Sequence, residues 1–486
     1  MARERRPKAA DRIRAYLDEH PSIHRALADG LLNDAALARR IRQELPERLS
    51  VEAVAVALRR AERRGPSIDP GGIAARVLAG GASLELRNHY SVLRLPDTEA
   101  ALEGFLLGRR HDLRRAGRTI LQVEEGHPYL SIACPTEEAE RLADGFPPAT
   151  TPRRADGFSL VLLAAASPAG DTPGVIAYFA DRLAERGLLP YLMAAARMEI
   201  EIVAPEPEAR LIFSALHDLR RTRLTPRPPA AGPKPSNSPA ASLAGAGTTA
   251  RRATLDPRSG ADLAREFVAA HPSVEDCLVY GIVNVTHLAR RIATEAGYDR
   301  PDAIEAALRR WRPPARASAA TVEQRILSVV HGSRLEVRTR VALVTAPPTW
   351  ELLGRLLEQH PNPGSERRRL FQVLQGPTSV TVLCDEDLVD PVLRSFGDRR
   401  SIDASRGLAA VVVHSPEEIL TTPGVLAFLS GAIYRAGLNC LEMMSLHLES
   451  TFVVRQADAL AAFGVLSDLV HPAPGGSRGT PDDGAA

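Results

Sequence analysis

Thr422-Pro423-Gly424-Val425 and, one amphipathic stretch later, Gly437-Leu438-Asn439-Cys440-Leu441-Glu442-Met443-Met444-Ser445 decide how this chain is read. A turn opens a helix, a glycine closes it and a strand follows. Thr422 stands where an N-cap belongs, Pro423 tolerates the first helical turn, and Gly424 lets a ligand or another backbone approach closely. Free N–H groups at a helix N-terminus favour a carboxylate. Gly437 is placed to end the helix in a left-handed conformation. Asn439, expected on the entering strand, offers both donor and acceptor groups. A molecule carrying a carboxylate and an ammonium suits such a corner.

The same unit occurs earlier, as Thr172-Pro173-Gly174-Val175, and it is one of many ordered repeats. His20-Pro21-Ser22-Ile23 returns as His271-Pro272-Ser273-Val274, and Leu37-Ala38-Arg39-Arg40-Ile41 as Leu288-Ala289-Arg290-Arg291-Ile292. Leu84-Glu85-Leu86-Arg87 returns as Leu335-Glu336-Val337-Arg338, and Gln122-Val123 with Cys134 as Gln372-Val373 with Cys384. Near-constant spacing marks a tandem duplication. The joint, about 223–260, is rich in Pro, Ala, Gly, Ser and Thr and reads as a flexible linker, and 472–486 reads as a disordered tail.

Each half begins with helices, at 10–65 and 261–315. Ser22, Asn33 and Ser50 stand at expected N-caps. Leu37, Ile41 and Leu45 fall at helical spacing, as do Val51, Val54 and Leu58. Strand–helix–strand–strand–helix patterns follow at 82–147, 157–222, 322–399 and 406–471. Within them Thr98–Arg110 and Glu137–Asp144 read as helices, and Ser159–Ala165 as a strand. Glu199 and Glu201 alternate with Ile200 and Ile202, as a half-buried strand requires. The expected fold class is α+β: two helical modules, each followed by two small strand–helix units.

Composition excludes several classes. The 486 residues suit about three domains; 44% are apolar, 25% are charged, and the net charge is +2, so polyanion binding by bulk charge is not expected. The four cysteines are scattered without a C-x-x-C pair, against a zinc site or disulfide framework and in keeping with a reducing compartment. No signal peptide is read at Met1–Ala10. Phe158–Ser167, the most apolar run, falls short of the roughly 20 residues that cross a bilayer. A cytoplasmic protein with no membrane partner, no cofactor and no metal is expected. G-x-x-x-x-G-K-[ST], H-E-x-x-H and G-x-S-x-G are absent from the sequence, so no catalytic residue is assigned. His20 with His271, and Cys134 with Cys384, read as duplicated structure; His447 reads as a strand residue.

At Thr422-Pro423-Gly424-Val425 through Ser445 the chain resembles the regulatory ACT domain, especially the aspartokinase type. The resemblance is good over 408–471, fair over 158–220, and rests on element order at 84–144 and 335–397. No stretch resembles an aspartokinase catalytic domain. The resemblance implies four ferredoxin-like βαββα(β) units that pair side by side and bind amino acids at the paired interface. It carries over Thr422, Gly424, Val425 and Asn439 as ligand contacts, with Pro423 and Cys440 beside them. The equivalent corner, Thr172, Pro173, Gly174 and Leu189, reads as degenerate, because Leu189-Pro190 stands where Asn439-Cys440 would be expected and neither supplies a hydrogen bond.

The helical modules resemble helix-turn-helix units. Arg59, Arg60 and Arg63, with Arg309 and Arg310, are the candidate phosphate contacts. The favoured expectation is an amino-acid-responsive transcription regulator, similar in architecture to the leucine-responsive regulatory protein family. In it, ligand would alter the spacing of two helical modules. The alternative is a regulatory subunit or adaptor giving feedback control to an amino-acid biosynthetic enzyme, without DNA binding. Homo-oligomers through exposed sheet edges would fit either.

Overall fold

The computed structural model describes residues 12–13, 16–17, 20–45, 50–64, 82–96, 121–126, 129–144, 152–165, 173–196, 199–221, 259–312, 321–347, 370–375, 379–396 and 402–472. The expected helix at 98–110, most of the linker and most of the tail lie outside them.

The first half supplies α1 (Pro21–Ala28), α2 (Asp34–Glu44), α3 (Val51–Arg64), β1 (Ser83–Pro96), β2 (Leu121–Gly126), β3 (Tyr129–Pro135), α4 (Thr136–Asp144), β4 (Arg153–Ala164), α5 (Val175–Glu185), β5 (Leu192–Ala196), β6 (Glu199–Pro205) and α6 (Glu206–Arg221). The second half supplies α7 (Gly260–Ala270), α8 (Pro272–Val279), α9 (Val285–Ala296), α10 (Pro301–Arg310), α11 (Val322–His331), β7 (Arg334–Ala346), β8 (Phe371–Gln375), β9 (Val380–Asp385), α12 (Val389–Phe396), β10 (Asp403–His414), α13 (Val425–Arg435), β11 (Glu442–Leu446), β12 (Glu449–Arg455) and α14 (Ala459–Val470).

The chain is thus a mixed α and β protein with an antiparallel sheet. The sheet closes on itself in the order β1-β3-β2-β8-β9-β7-β10-β12-β11-β5-β6-β4. The two halves meet twice within it: β2 pairs β8, and β5 pairs β11 with Met443 opposite Ala195 and Ser445 opposite Met193. The expectation of exposed sheet edges is corrected: closure leaves none among the described strands, because every strand has two neighbours.

Alternation assigns the two faces. Val161 and Leu163 point outward to a core shared with α5, α6, α11, α13 and α14. Leu160 and Leu162 point inward, with Phe158 and Val203. β4 and β10 start earlier than their apolar runs suggest, at Arg153 and Asp403. Their first five residues are exposed and polar or small, so hydrophobic alternation does not mark them. Matching backbone kinks punctuate both long pairs: His89 and Gly157 in one half, Arg340 and Gly407 in the other, all have positive φ beside shifts in strand register.

The two helical modules do not stand apart. Leu31, Leu37, Ile41 and Val54 share one core with Val283, Leu288, Ile292 and Ile304. Leu32 and Val283 form an antiparallel bridge, and the Asn33 and Asn284 N–H groups donate across it to the Ile282 and Leu31 carbonyls, each at 2.7 Å. Asn33 and Ser50 cap their helices as expected, accepting from the N–H groups of Ala36 and Ala53 at 3.1 Å. Ser22 does not: α1 is capped at His20 with Pro21 in the first turn, and the Ser22 hydroxyl donates to Asp276 at 2.7 Å instead. The long-range acceptor is buried and needs the donor.

Candidate functional site: a crossed corner between the halves

The opening stretch folds differently at its start from what spacing suggests. Gly424, at φ 100°, is the N-cap of α13. The Thr422 hydroxyl donates backward to the Glu418 carbonyl at 2.7 Å, so neither Thr422 as cap nor Pro423 as first helical residue holds. The residues before Thr422 form a short 3-10 turn, Glu417–Thr421, and that local carbonyl claims the hydroxyl. At the other end Gly437 is left-handed, φ 78°, as expected of a helix terminator. Asn439 and Cys440 precede β11 rather than lying on it.

Gly424 is required by position as well as by φ. A Cβ there would stand 2.9 Å from Ile326 Cδ1 on α11 and 3.7 Å from the Ala184 Cβ on α5. Gly174, at φ 86°, caps α5, and a Cβ there would run into the Tyr434 ring on α13. The Gly174 turn is therefore pressed against a helix of the other half, while the Gly424 turn is pressed against α11 of its own half with α5 of the other half in ordinary contact. Ala180 and Ala184 of α5 meet Ala427 of α13, and these small side chains let the helices approach.

Between the halves lies a cavity of about 120 Å³. The second half contributes Thr422, Gly424 and Val425 from its turn, with Ile419, Ser445 and His447. The first half contributes Leu183 and Leu188 of α5 and its end, then Leu189, Pro190 and Tyr191, with Met193 and Glu208. Neither Asn439 nor Cys440 lines it; nor does Pro423. The two expected corners are not separate at this cavity: the turn of one copy is completed by Leu189-Pro190 of the other. The side-by-side pairing of β5 with β11 forces this crossing, because it sets α5 and α13 next to one another. The opposite corner would join Pro173 and Gly174 to Asn439 and Cys440. Thr172 lies outside the described residues.

The polar groups of the cavity are few. Glu208 sits at the start of α6 with the Leu189 N–H against its carboxylate, and burial raises its pKa. Ser445 shares a hydrogen bond with Ser450 at 3.1 Å. His447 is not a strand residue: it forms the β11–β12 turn at φ 53°, in the left-handed region. Its Nδ1 lies 3.2 Å from a terminal guanidinium nitrogen of Arg94 on β1, which also donates to the Tyr191 hydroxyl. Burial first, then the Arg94 charge, push His447 down to about 4, so its ring is neutral at physiological pH. Sequence reading missed it because Leu446-His447-Leu448 carries none of the usual turn residues.

Behind the cavity, α5 presents a second, ionic face to the helical body. Asp181 accepts from Arg25 of α1 at 2.7 and 2.6 Å and from Arg182 at 3.0 Å. Arg182 also reaches Glu185 at 2.6 Å. The Arg25 and Arg182 charges hold the Asp181 carboxyl below its usual range despite burial. On the other side of the body, Asp276 of α8 accepts from the Val322 and Glu323 N–H groups at the start of α11, at 3.2 and 2.9 Å. Glu323 accepts from the Ser22 N–H and the Tyr280 hydroxyl, each at 3.2 Å. Burial, then the Asp276 charge, raise Glu323 to about 7.

The remaining expected residues are placed as follows. Arg309 is exposed and ion-paired to Glu305 at 2.6 Å, while Arg310 donates to the Ala306 carbonyl. Arg59, Arg60 and Arg63 lie on α3; their side chains are outside the description. His20 and His271 stack on Tyr16 and Phe267 in matching fashion, each with Nδ1 on the carbonyl four residues earlier. Cys134 and Cys384 are buried in the sheet. Among the described residues, no helix is long and apolar enough to cross a membrane.

No family model matches the chain, and no curated protein matches it. Solved structures with a likeness include aspartate kinases and their regulatory parts. The aspartate kinase of Synechocystis is 12% identical, with a TM-score of 0.28, over 82% of this chain and 57% of that one; the chain thus spans little more than half of that enzyme. The regulatory subunit of aspartate kinase from Thermus thermophilus is 16% identical, TM-score 0.24, over 30% of this chain and 98% of that one. A putative C-terminal regulatory domain of aspartate kinase from Porphyromonas gingivalis is 12% identical, TM-score 0.23, over 29% of this chain and 97% of that one. At these scores none of them bears on what the chain does.

Proposed function

We propose that the chain is a non-catalytic regulatory protein that binds a small effector, an amino acid, in the crossed corner. Its four strand–helix units are read as ACT-like and act as two pairs, one across β2 and β8, the other across β5 and β11. It serves as a regulatory subunit or adaptor giving feedback control to an amino-acid biosynthetic enzyme. The observation that carries the reading is the position of α5. One side of this helix lines the cavity, with Ala180, Leu183 and Ala184, while Asp181 grips Arg25 of the helical body. A ligand that prefers one placement of α5 thereby biases the placement of the helical body.

Calorimetric titration of the full chain with each of the amino acids tests this. The expected outcome is heat and a raised melting temperature with a small subset of them. No heat and no thermal shift with any amino acid sinks the reading. The shared core of the helical modules favours the adaptor over two separately spaced DNA readers. Salt-dependent DNA affinity at low ionic strength, responsive to the effector, would reverse that preference.

A further inference from the structure

The cavity walls and the groups behind them define which molecule fits, an inference that rests on the effector-binding reading above. Most of the lining is aliphatic: Leu183, Leu188, Met193, Ile419 and Val425 surround the space. An apolar cavity of about 150 Å³ houses a benzene ring, so 120 Å³ accommodates a branched aliphatic group of a few carbons. Glu208 is the one carboxylate in that lining, and the lining holds no Arg or Lys. The cationic group stands one layer back: Arg94, half-buried on β1, reaches the Tyr191 hydroxyl and His447 Nδ1.

A guanidinium only donates, so His447 Nδ1 accepts and the ring proton is carried on Nε2. Arg94 thus fixes the tautomer and leaves one N–H on a residue that lines the cavity. The residue is held at φ 53°, in the left-handed region that non-glycine residues seldom adopt and that Asn, Asp and His adopt most readily. A non-glycine residue stays there where surrounding contacts over-determine it. Here the contact comes from a strand 353 residues away in sequence.

We propose that His447 is the specificity-determining contact of the cavity, donating from Nε2 to the carboxylate of an amino acid with a small aliphatic side chain, with Arg94 as its positioning residue and Glu208 as the partner of the ammonium. Three groups then divide one ligand: Nε2–H takes the carboxylate, Glu208 takes the ammonium, and the aliphatic wall takes the side chain. A polar or charged side chain leaves buried groups unpaired and is rejected.

The test uses the full chain with L-valine, 3-methyl-2-oxobutanoate, which lacks the ammonium, and 2-methylpropan-1-amine, which lacks the carboxylate. The variants His447→Asn and His447→Asp have the same shape and tolerate a left-handed turn, but Asn keeps an N–H donor and Asp does not. The expected result is L-valine binding within a few-fold of the wild type for His447→Asn. For His447→Asp, affinity falls by about tenfold or more, the loss of a hydrogen bond to a charged group. Glu208→Gln weakens L-valine but not the oxo acid. Arg94 reports through pH: Arg94→Met removes a charge that depresses His447, so NMR titration of that ring moves to higher pH. Around the ring the charged and titratable groups are Arg94 and Tyr191, with Glu208 on the same cavity wall. Equal affinities for His447→Asn and His447→Asp, or a wild-type preference for charged amino acids, overturn this inference and leave the effector reading standing. Absence of binding by every amino acid overturns both.

Discussion

The helical body meets two helices that cover the sheet, α5 and α11, through residues that hold matching positions in the two halves, and the chemistry at the two contacts is opposite. Arg25 follows His20 by five residues and Asp276 follows His271 by five. Arg25 meets a carboxylate, Asp181 of α5, in an arginine–carboxylate cluster. Asp276 meets another carboxylate residue, Glu323 of α11, and Ser22 bridges the two, its hydroxyl donating to Asp276 and its N–H to Glu323. One duplicated scaffold therefore carries a contact that is strongest when ionised and a contact that is strongest when one member holds a proton. The two body positions correspond, but their partners do not: Asp181 lies on α5, whose copy is α13 with Gly431 at that place, whereas Asp276 meets α11.

Removing the ionic contact is the largest expected effect. Asp181→Ala leaves Arg25 and Arg182 without their shared acceptor. A loss of about 1.5–3 kcal/mol is expected for losing hydrogen bonds to a charged group in this half-buried cluster, seen as a lower urea midpoint for the full chain; a change within error would show that the cluster holds nothing together. Gly424→Ala comes next. It combines a positive φ with a Cβ 2.9 Å from Ile326, and a loss of about 1–3 kcal/mol follows from strain and crowding, together with weaker effector binding. Gly437→Ala is its control, since that Cβ meets nothing within 4 Å; equal binding losses would deny Gly424 any role in the cavity.

The carboxylate contact is expected to show itself in pH rather than in magnitude at one pH. Glu323 has a folded pKa raised to about 7 above its ordinary value. The folded state therefore keeps the proton that the unfolded state releases. Its contribution is fully present below about pH 4.5 and is lost as pH rises through about 7. Glu323→Gln, which stays neutral, should flatten that decline in melting temperature, while Arg25 variants should not. An unchanged slope in Glu323→Gln would remove the distinction between the two contacts. The smallest effect separates the corners: Leu189→Ala should weaken binding in the crossed cavity, and Asn439→Ala, outside its lining, should leave it near the wild-type value. Calorimetry giving the reverse order would place the effector in the opposite corner.

Much of the local structure was legible from residue types. Asn33 caps α2, Gly437 terminates α13, and the alternation through Glu199-Ile200-Glu201-Ile202 marks β6 as a strand, because caps, left-handed glycines and two-residue periods are written in adjacent residues. The half-buried reading of β6 is corrected: Glu199 and Glu201 are as buried as Ile200 and Ile202, because the closed sheet covers both faces of the strand. The crossing of the corners was not legible. It depends on β5 pairing with β11, two strands about 250 residues apart, and no local pattern encodes which partner a strand takes. His447 was hidden for the complementary reason. Its backbone is held in a turn by long-range contacts to Arg94 and Tyr191, while its neighbours Leu446 and Leu448 read as strand. Thr422 was misplaced as a cap because the 3-10 turn before it supplied a nearer carbonyl.

Because β5 and β11 belong to one covalent chain, the corner proposed to hold effector is assembled by an intramolecular event. A corner built between two separate subunits comes apart as its protein is diluted, and its apparent affinity for effector then falls with abundance. Covalent joining replaces the partner's concentration with a constant effective one. The crossed corner should therefore report effector level with the same threshold whether the cell holds few copies of the protein or many.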